Sequence, residues 1–111
     1  MTSIFTKIIQ GDIPADKVFE NERIIAIKDI RPQAPVHLLI ISKKEITSIQ
    51  AVNPIDMPLV FEMITVAQDL ATKFGIAEGY RLLTNVGPLA GQTIFHLHFH
   101  LIGGHHLGAI G

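Results

Sequence analysis

The stretch Thr93-Ile94-Phe95-His96-Leu97-His98-Phe99-His100-Leu101-Ile102 decides how the chain is read. Three of its six histidines fall at every second position, with Leu97, Phe99 and Leu101 between and after them. Polar/apolar alternation of this kind predicts a strand. Side chains of a strand alternate between faces at a rise of about 3.3 Å per residue. His96, His98 and His100 should then share one face, with Leu97, Phe99 and Leu101 on the core side. Gly103-Gly104 ends the run. An imidazole titrates near neutrality, so it can be nucleophile, base, acid or phosphate partner without an extreme pKa shift. A row of three admits three readings: solvated decoration of a sheet face, a metal site of three imidazoles and a water, or covalent phosphorus chemistry with one ring attacking and its neighbours handling charge. The stretch alone does not choose.

Working outward, Tyr80-Arg81-Leu82-Leu83-Thr84-Asn85 reads as a strand, and Val86-Gly87-Pro88-Leu89-Ala90-Gly91-Gln92 as the loop joining it to the histidine strand. Upstream lies the long helix. Asn53 is its expected N-cap, Pro54 its first residue, and Lys73 followed by Gly75 its end. Ile55, Leu59, Val60, Met63, Ile64, Ala67, Leu70, Ala71 and Phe74 supply one helical face over about twenty residues. Before it come a short helix expected over 46–52 and three strands, Lys17-Val18-Phe19-Glu20, Ile24-Ile25-Ala26-Ile27-Lys28 and His37-Leu38-Leu39-Ile40-Ile41-Ser42, the last buried on both faces. Arg31-Pro32-Gln33-Ala34-Pro35 is a loop, because each proline moves its predecessor out of the helical region. Near the start, Ser3 caps a short helix from Ile4 to Ile9, closed by Gly11. Five strands, one long helix and one or two short ones predict an α+β fold with an antiparallel sheet and hairpin connections.

The 111 residues suit one domain with a single core. Nine Lys/Arg against ten Asp/Glu give a formal net charge of −1, with no basic run longer than Lys43-Lys44, so nucleic-acid binding is not expected. The apolar runs fall far short of the roughly eighteen residues of a membrane span, so no membrane role is expected either. The absence of cysteine removes thiolate metal sites, disulfides and cysteine nucleophiles and fits a cytoplasmic protein.

His96-Leu97-His98-Phe99-His100-Leu101-Ile102 resembles the His-φ-His-φ-His-φ-φ motif of the histidine triad family, φ being apolar. Ile4-Phe5-Thr6-Lys7-Ile8-Ile9-Gln10-Gly11-Asp12-Ile13-Pro14-Ala15 is similar to the N-terminal signature of its Hint-like branch. Asp29-Ile30-Arg31-Pro32-Gln33-Ala34-Pro35-Val36-His37 is similar to that branch's second block, and Asn85-Val86-Gly87 with Gly91-Gln92-Thr93 to its approach to the triad. The resemblance runs over nearly the whole chain.

It implies a five-stranded antiparallel α+β unit, paired in a homodimer with a ten-stranded sheet, that cleaves purine nucleoside 5′-phosphoramidates to AMP or GMP and an amine. By position, His98 is implied as the nucleophile. His96, His100 and His37 are implied as partners that orient it and offset phosphoryl charge. Asn85, Gly91, Gln92 and Thr93 would meet the phosphate, Asp29 the ribose hydroxyls, and Ile4, Phe5, Ile8, Ile27 and Ile30 the base. No cofactor and no resident metal are expected. Two alternatives remain: a nucleotide-binding module with little turnover, and a metal-dependent hydrolase on the three triad histidines.

The chain also departs from the family pattern. Ser3 and Thr6 stand where relatives often carry cysteines linked to zinc, Ile27 where an aromatic residue is common beside the base, and Glu45 where a histidine is common. The tail from His105 to Gly111 is short and unlike those of relatives.

Overall fold

Residues 2–111 are described by a computed structural model. The strands are β1 (Lys17–Glu20), β2 (Ile24–Lys28), β3 (Val36–Ser42), β4 (Tyr80–Leu83) and β5 (His98–Gly103). The helices are α1 (Ile4–Ile9) and α2 (Met57–Lys73). All strand pairs are antiparallel, in the order β1-β2-β3-β5-β4. The predicted α+β fold with one five-stranded sheet and one main helix is therefore observed. β3 lies at the centre and is buried along almost its whole length, as its unbroken apolar run requires.

The period-two alternation of β2, β3 and β5 builds two layers. Ile24, Ala26, Leu38, Ile40, Leu97, Phe99 and Leu101 pack on the Val60, Met63, Ala67, Leu70 and Ala71 face of α2. Ile25, Ile27, Leu39 and Ile41 point the other way and meet Phe5 and Ile8 of α1. Ser3 does cap α1, accepting the Thr6 N–H at 3.1 Å. A helix of six residues covers only part of that second face, and the uncovered part is where His98 and His100 project.

Leu101 is fully buried and stands between Leu38 and Leu82 in register. Leu101→Ala is expected to cost about 3 kcal/mol, the transfer term of the lost side chain plus the cavity left behind. Urea denaturation should show this as a lower midpoint at unchanged slope.

Four local expectations are corrected. The histidine strand begins at His98, so His96 precedes it on a bend. There the Leu97 N–H bonds the Ile46 carbonyl at 2.6 Å, and the Leu97 carbonyl accepts from Ser42 N at 3.3 Å, which leads the chain off the β3 ladder. The helix expected over 46–52 is a single 3₁₀ turn, Ile49–Ala51. Pro54–Asp56 is also a 3₁₀ turn, Asn53 makes no side-chain cap, and α2 begins only at Met57. Pro58 is the reason: it has no N–H, and its ring would strike the Pro54 carbonyl if the α-helix ran through both. The fourth strand stops at Leu83 rather than Asn85, and its link to β5 covers residues 84–97. Those two strands pair as predicted, but not through a short hairpin turn.

Candidate active site

A cavity of about 700 Å³ opens on the α1 side of the sheet. Ile4, Phe5, Ile8 and Ile27 supply its apolar lining, Asp29, Asn85, Gln92 and Thr93 its polar lining together with His98 and His100, and Ile30 and Gly91 complete the set. The structure thus gathers twelve of the predicted residues. It adds Ile13, Pro14, Ala15, Asp16, Lys28, Arg31, Leu39 and Ile94, none of them singled out as site residues from sequence. Leu39 was recoverable: it faces His100 in the β3–β5 register, so the two side chains share a face.

His98 is held at one nitrogen. Its Nδ1 lies 2.6 Å from the His96 carbonyl oxygen. A carbonyl only accepts, so Nδ1 carries the proton and Nε2 keeps its lone pair. Phe5 meets the ring edge-on at 5.0 Å. Burial holds the His98 pKa below the free-imidazole value, with the neighbouring His96 adding to this. The bond to the His96 carbonyl and the charge of Asp29 act in the opposite sense. The ring is therefore neutral at pH 7, as a nucleophile must be.

The His100 tautomer follows from a chain of donors. The Gln33 N–H donates to His37 Nδ1 at 3.0 Å, so the His37 proton sits on Nε2. That Nε2–H points at His100 Nδ1, 3.0 Å away, leaving the His100 proton on Nε2. Burial pushes the His100 pKa down to about 4, helped by His98 and His37 and opposed by Asp29. Burial likewise lowers His37 against the pull of Asp29. These rings are therefore dipolar N–H donors rather than cations. His37 itself lies behind His100, outside the cavity wall.

Asp29, His37 and His100 have ligand-type atoms within 4.8 Å of one another. A metal at His37 Nε2 would need the proton on Nδ1, where it would oppose the Gln33 N–H, so this set does not fit a cation. The three triad imidazoles do not converge on a common point either. His96 spends both ring nitrogens inside the protein, donating from Nε2 to the Ser42 carbonyl and accepting at Nδ1 from the Ser3 hydroxyl, each at 2.6 Å.

Three predicted roles change on this geometry. His96 is fully buried and does not face the cavity; it offers its backbone carbonyl to His98 instead of offsetting phosphoryl charge. Gln92 is a clip: its Oε1 accepts from Gly87 N at 2.8 Å, and its Nε2 donates to the Thr47 and Ile94 carbonyls at 2.8 and 3.2 Å. The Gly91 and Gln92 N–H groups are consumed by Pro88 and Gly87 carbonyls. Thr93 is exposed, and Asn85 makes no side-chain hydrogen bond among the described residues, so these two keep free polar groups for a ligand. Gly87 and Gly91 have φ of +80° and +92°, conformations that favour glycine and that fold the loop back over the clip. Asp29 accepts from Arg31 N at 2.8 Å through Oδ1 and lies 3.3 Å from His37 Nε2 through Oδ2.

Comparison with known proteins gives the same outline. The sequence model of the HIT domain matches residues 10–107. A HIT-like protein of Chlamydia pneumoniae is 55% identical over 108 residues, covering 97% of this chain and 98% of its own. The solved HIT family hydrolase from Clostridium thermocellum superposes with a TM-score of 0.94 at 47% identity, over 97% of this chain and 95% of its own. A histidine triad nucleotide-binding protein from Candida albicans gives a TM-score of 0.84 at 30% identity, over 99% of this chain and 85% of its own.

Proposed function

Because this chain belongs to the HIT domain family, whose model covers most of its length, we propose that it is a nucleotide hydrolase acting in the cytoplasm on purine nucleoside 5′-phosphoramidates. The single observation that carries this reading is the orientation of His98: its Nδ1–H is tied to a backbone carbonyl, and the ring lines a cavity that is part apolar and part polar. A volume of about 700 Å³ is in the range of small-molecule sites. The base lies on Phe5, Ile8 and Ile27, the ribose hydroxyls donate to Asp29, and the phosphoryl group sits between His98, His100, Asn85 and Thr93.

In the first step His98 Nε2 attacks phosphorus. The P–N bond breaks, and its electron pair leaves with the amine. A phosphoryl anion beside His100 favours the protonated ring; as Nδ1 takes up that proton, the His37 Nε2–H turns to Asp29 Oδ2, 3.3 Å away, and the His100 cation gives its Nε2 proton to the departing nitrogen. In the second step water attacks phosphorus, His100 takes its proton, and the N–P bond to His98 breaks to release the nucleotide. His100 changes role between the steps, acid then base.

The test is mass spectrometry of protein quenched after mixing with adenosine 5′-phosphoramidate. An acid-labile adenylyl adduct on His98 is expected. Turnover without any adduct excludes the covalent route, and AMP binding with neither adduct nor turnover makes the chain a binding module. The rate of adduct formation should also resist acid. His98 is active as the neutral ring, and its pKa lies below 6.5, so the rate should hold as pH falls through 6.5 and decline only as the lowered pKa is passed. A midpoint at or above 6.5 in single-turnover rates at subsaturating substrate, where the ionisations of the free protein are read, would contradict the buried, neutral nucleophile.

We infer further that two copies pair. The edges of the sheet are β1 and β4, and an uncovered edge offers a row of free backbone groups. Met57, Phe61 and Ile64 of α2 are exposed, Phe61 by 74%, in a stripe at helical spacing. A homodimer joined along β4 with these helices in contact would cover both and make a ten-stranded sheet.

A further inference from the structure

We propose that Glu45 is a positioning residue for the nucleophile, acting through Ser3 and His96. Its Oε1 accepts the Ser3 N–H at 2.9 Å and the Thr6 hydroxyl at 2.7 Å. These partners lie 42 and 39 residues away in sequence, so Glu45 ties the start of α1 to the segment after β3. The two donated bonds hold the Glu45 carboxyl below the usual carboxylate range, that from Ser3 first. It is therefore an ionised acceptor at neutral pH.

The bonds then fix directions down the line. With the Thr6 hydrogen pointing at Glu45, the Ser3 hydroxyl, which accepts the Thr6 N–H, is left to donate to His96 Nδ1 at 2.6 Å. The other ring nitrogen donates to the Ser42 carbonyl. His96 is thus held at both ends, in one tautomer, in a site with no exposure. A ring so fixed fixes its own backbone, and the His96 carbonyl is the group that holds His98 Nδ1–H. Phe5, on the helix that Glu45 ties down, touches both rings edge-on, His96 at 5.8 Å and His98 at 5.0 Å. Glu45 never reaches the cavity; what it sets is the direction in which the His98 lone pair points.

The kinetic part of this inference rests on the proposed reaction; the structural part does not. Two readouts keep them apart: turnover of adenosine 5′-phosphoramidate, and ¹⁵N NMR of the histidine side chains without substrate. Glu45→Ala should lower kcat about tenfold and leave KM within about twofold, because orientation of the attacking atom is lost rather than substrate contact. The His96 Nδ1 resonance should move away from that of a hydrogen-bonded acceptor, and Ser3→Ala should move it in the same way. Glu45→Gln keeps an amide oxygen for both donors and should restore kcat and the resonance. The proposal is overturned if Glu45→Ala keeps wild-type kcat, if the His96 and His98 resonances are unchanged in it, or if Glu45→Gln is as impaired as the alanine variant. If the wild type itself turns over no phosphoramidate, the reaction assignment fails while the NMR comparison still decides the role of Glu45.

Discussion

His98→Ala is expected to lose about 10⁴-fold or more in kcat on a phosphoramidate, the scale seen when a covalent nucleophile is removed, while still binding AMP within a few-fold. The two effects separate because His98 supplies the attacking atom but little of the surface that grips a nucleotide. The apolar lining of Phe5, Ile8 and Ile27, and the Asp29 carboxylate, stay in place. The ring is only partly buried and donates a single bond, to the His96 carbonyl, so its removal leaves no large void. Rates measured beside calorimetry with AMP would check this. A variant within tenfold of wild type would show that another group attacks phosphorus. His96→Ala makes the contrast: that ring is wholly enclosed and its loss strands the Ser42 carbonyl, so the protein should lose stability together with activity.

Phe61→Glu should convert the proposed dimer to monomers at micromolar concentration. A two-fold interface contains each residue twice. A buried aromatic anchor is worth about 2 kcal/mol, so one substitution removes about 4 kcal/mol, or roughly 10³-fold in the dissociation constant. Two carboxylates brought together at the centre would add to that loss. Light scattering across a dilution series gives the answer. A variant with the mass of the wild-type species would place the interface elsewhere. Circular dichroism should be unchanged, because Phe61 lies on the outer face of α2 and takes no part in the core against the sheet.

Much of this was legible in the sequence wherever the controlling forces are local. β2 announces itself as a β-branched run and β3 as an unbroken apolar one, and the apolar face of α2 follows the helical period. Pro58 was equally local, and its conflict with Pro54 could have placed the start of α2. The departures of His96 and Gln92 were not readable in that way. Alternation places His96 beside His98 on a strand; only the bond from Leu97 to Ile46, fifty-one positions back, takes it off the ladder. A glutamine beside a glycine looks like a ligand contact until its three backbone partners are seen. The Glu45 contacts, too, join residues about forty positions apart. The reaction, in turn, came from the resemblance of whole blocks, since three alternating imidazoles are compatible with metal or with phosphorus.

The clip made by Gln92 has a consequence for how this molecule can diversify. It shuts the turn between Gly87 and Gly91 into a closed ring, with Leu89 standing wholly in solvent at its tip and Thr93 on the far side of the closure. Length and composition at that tip are thereby mechanically insulated from the chemistry. An extra residue grafted beside Leu89 should leave hydrolysis untouched, so new recognition could be acquired there without relearning catalysis.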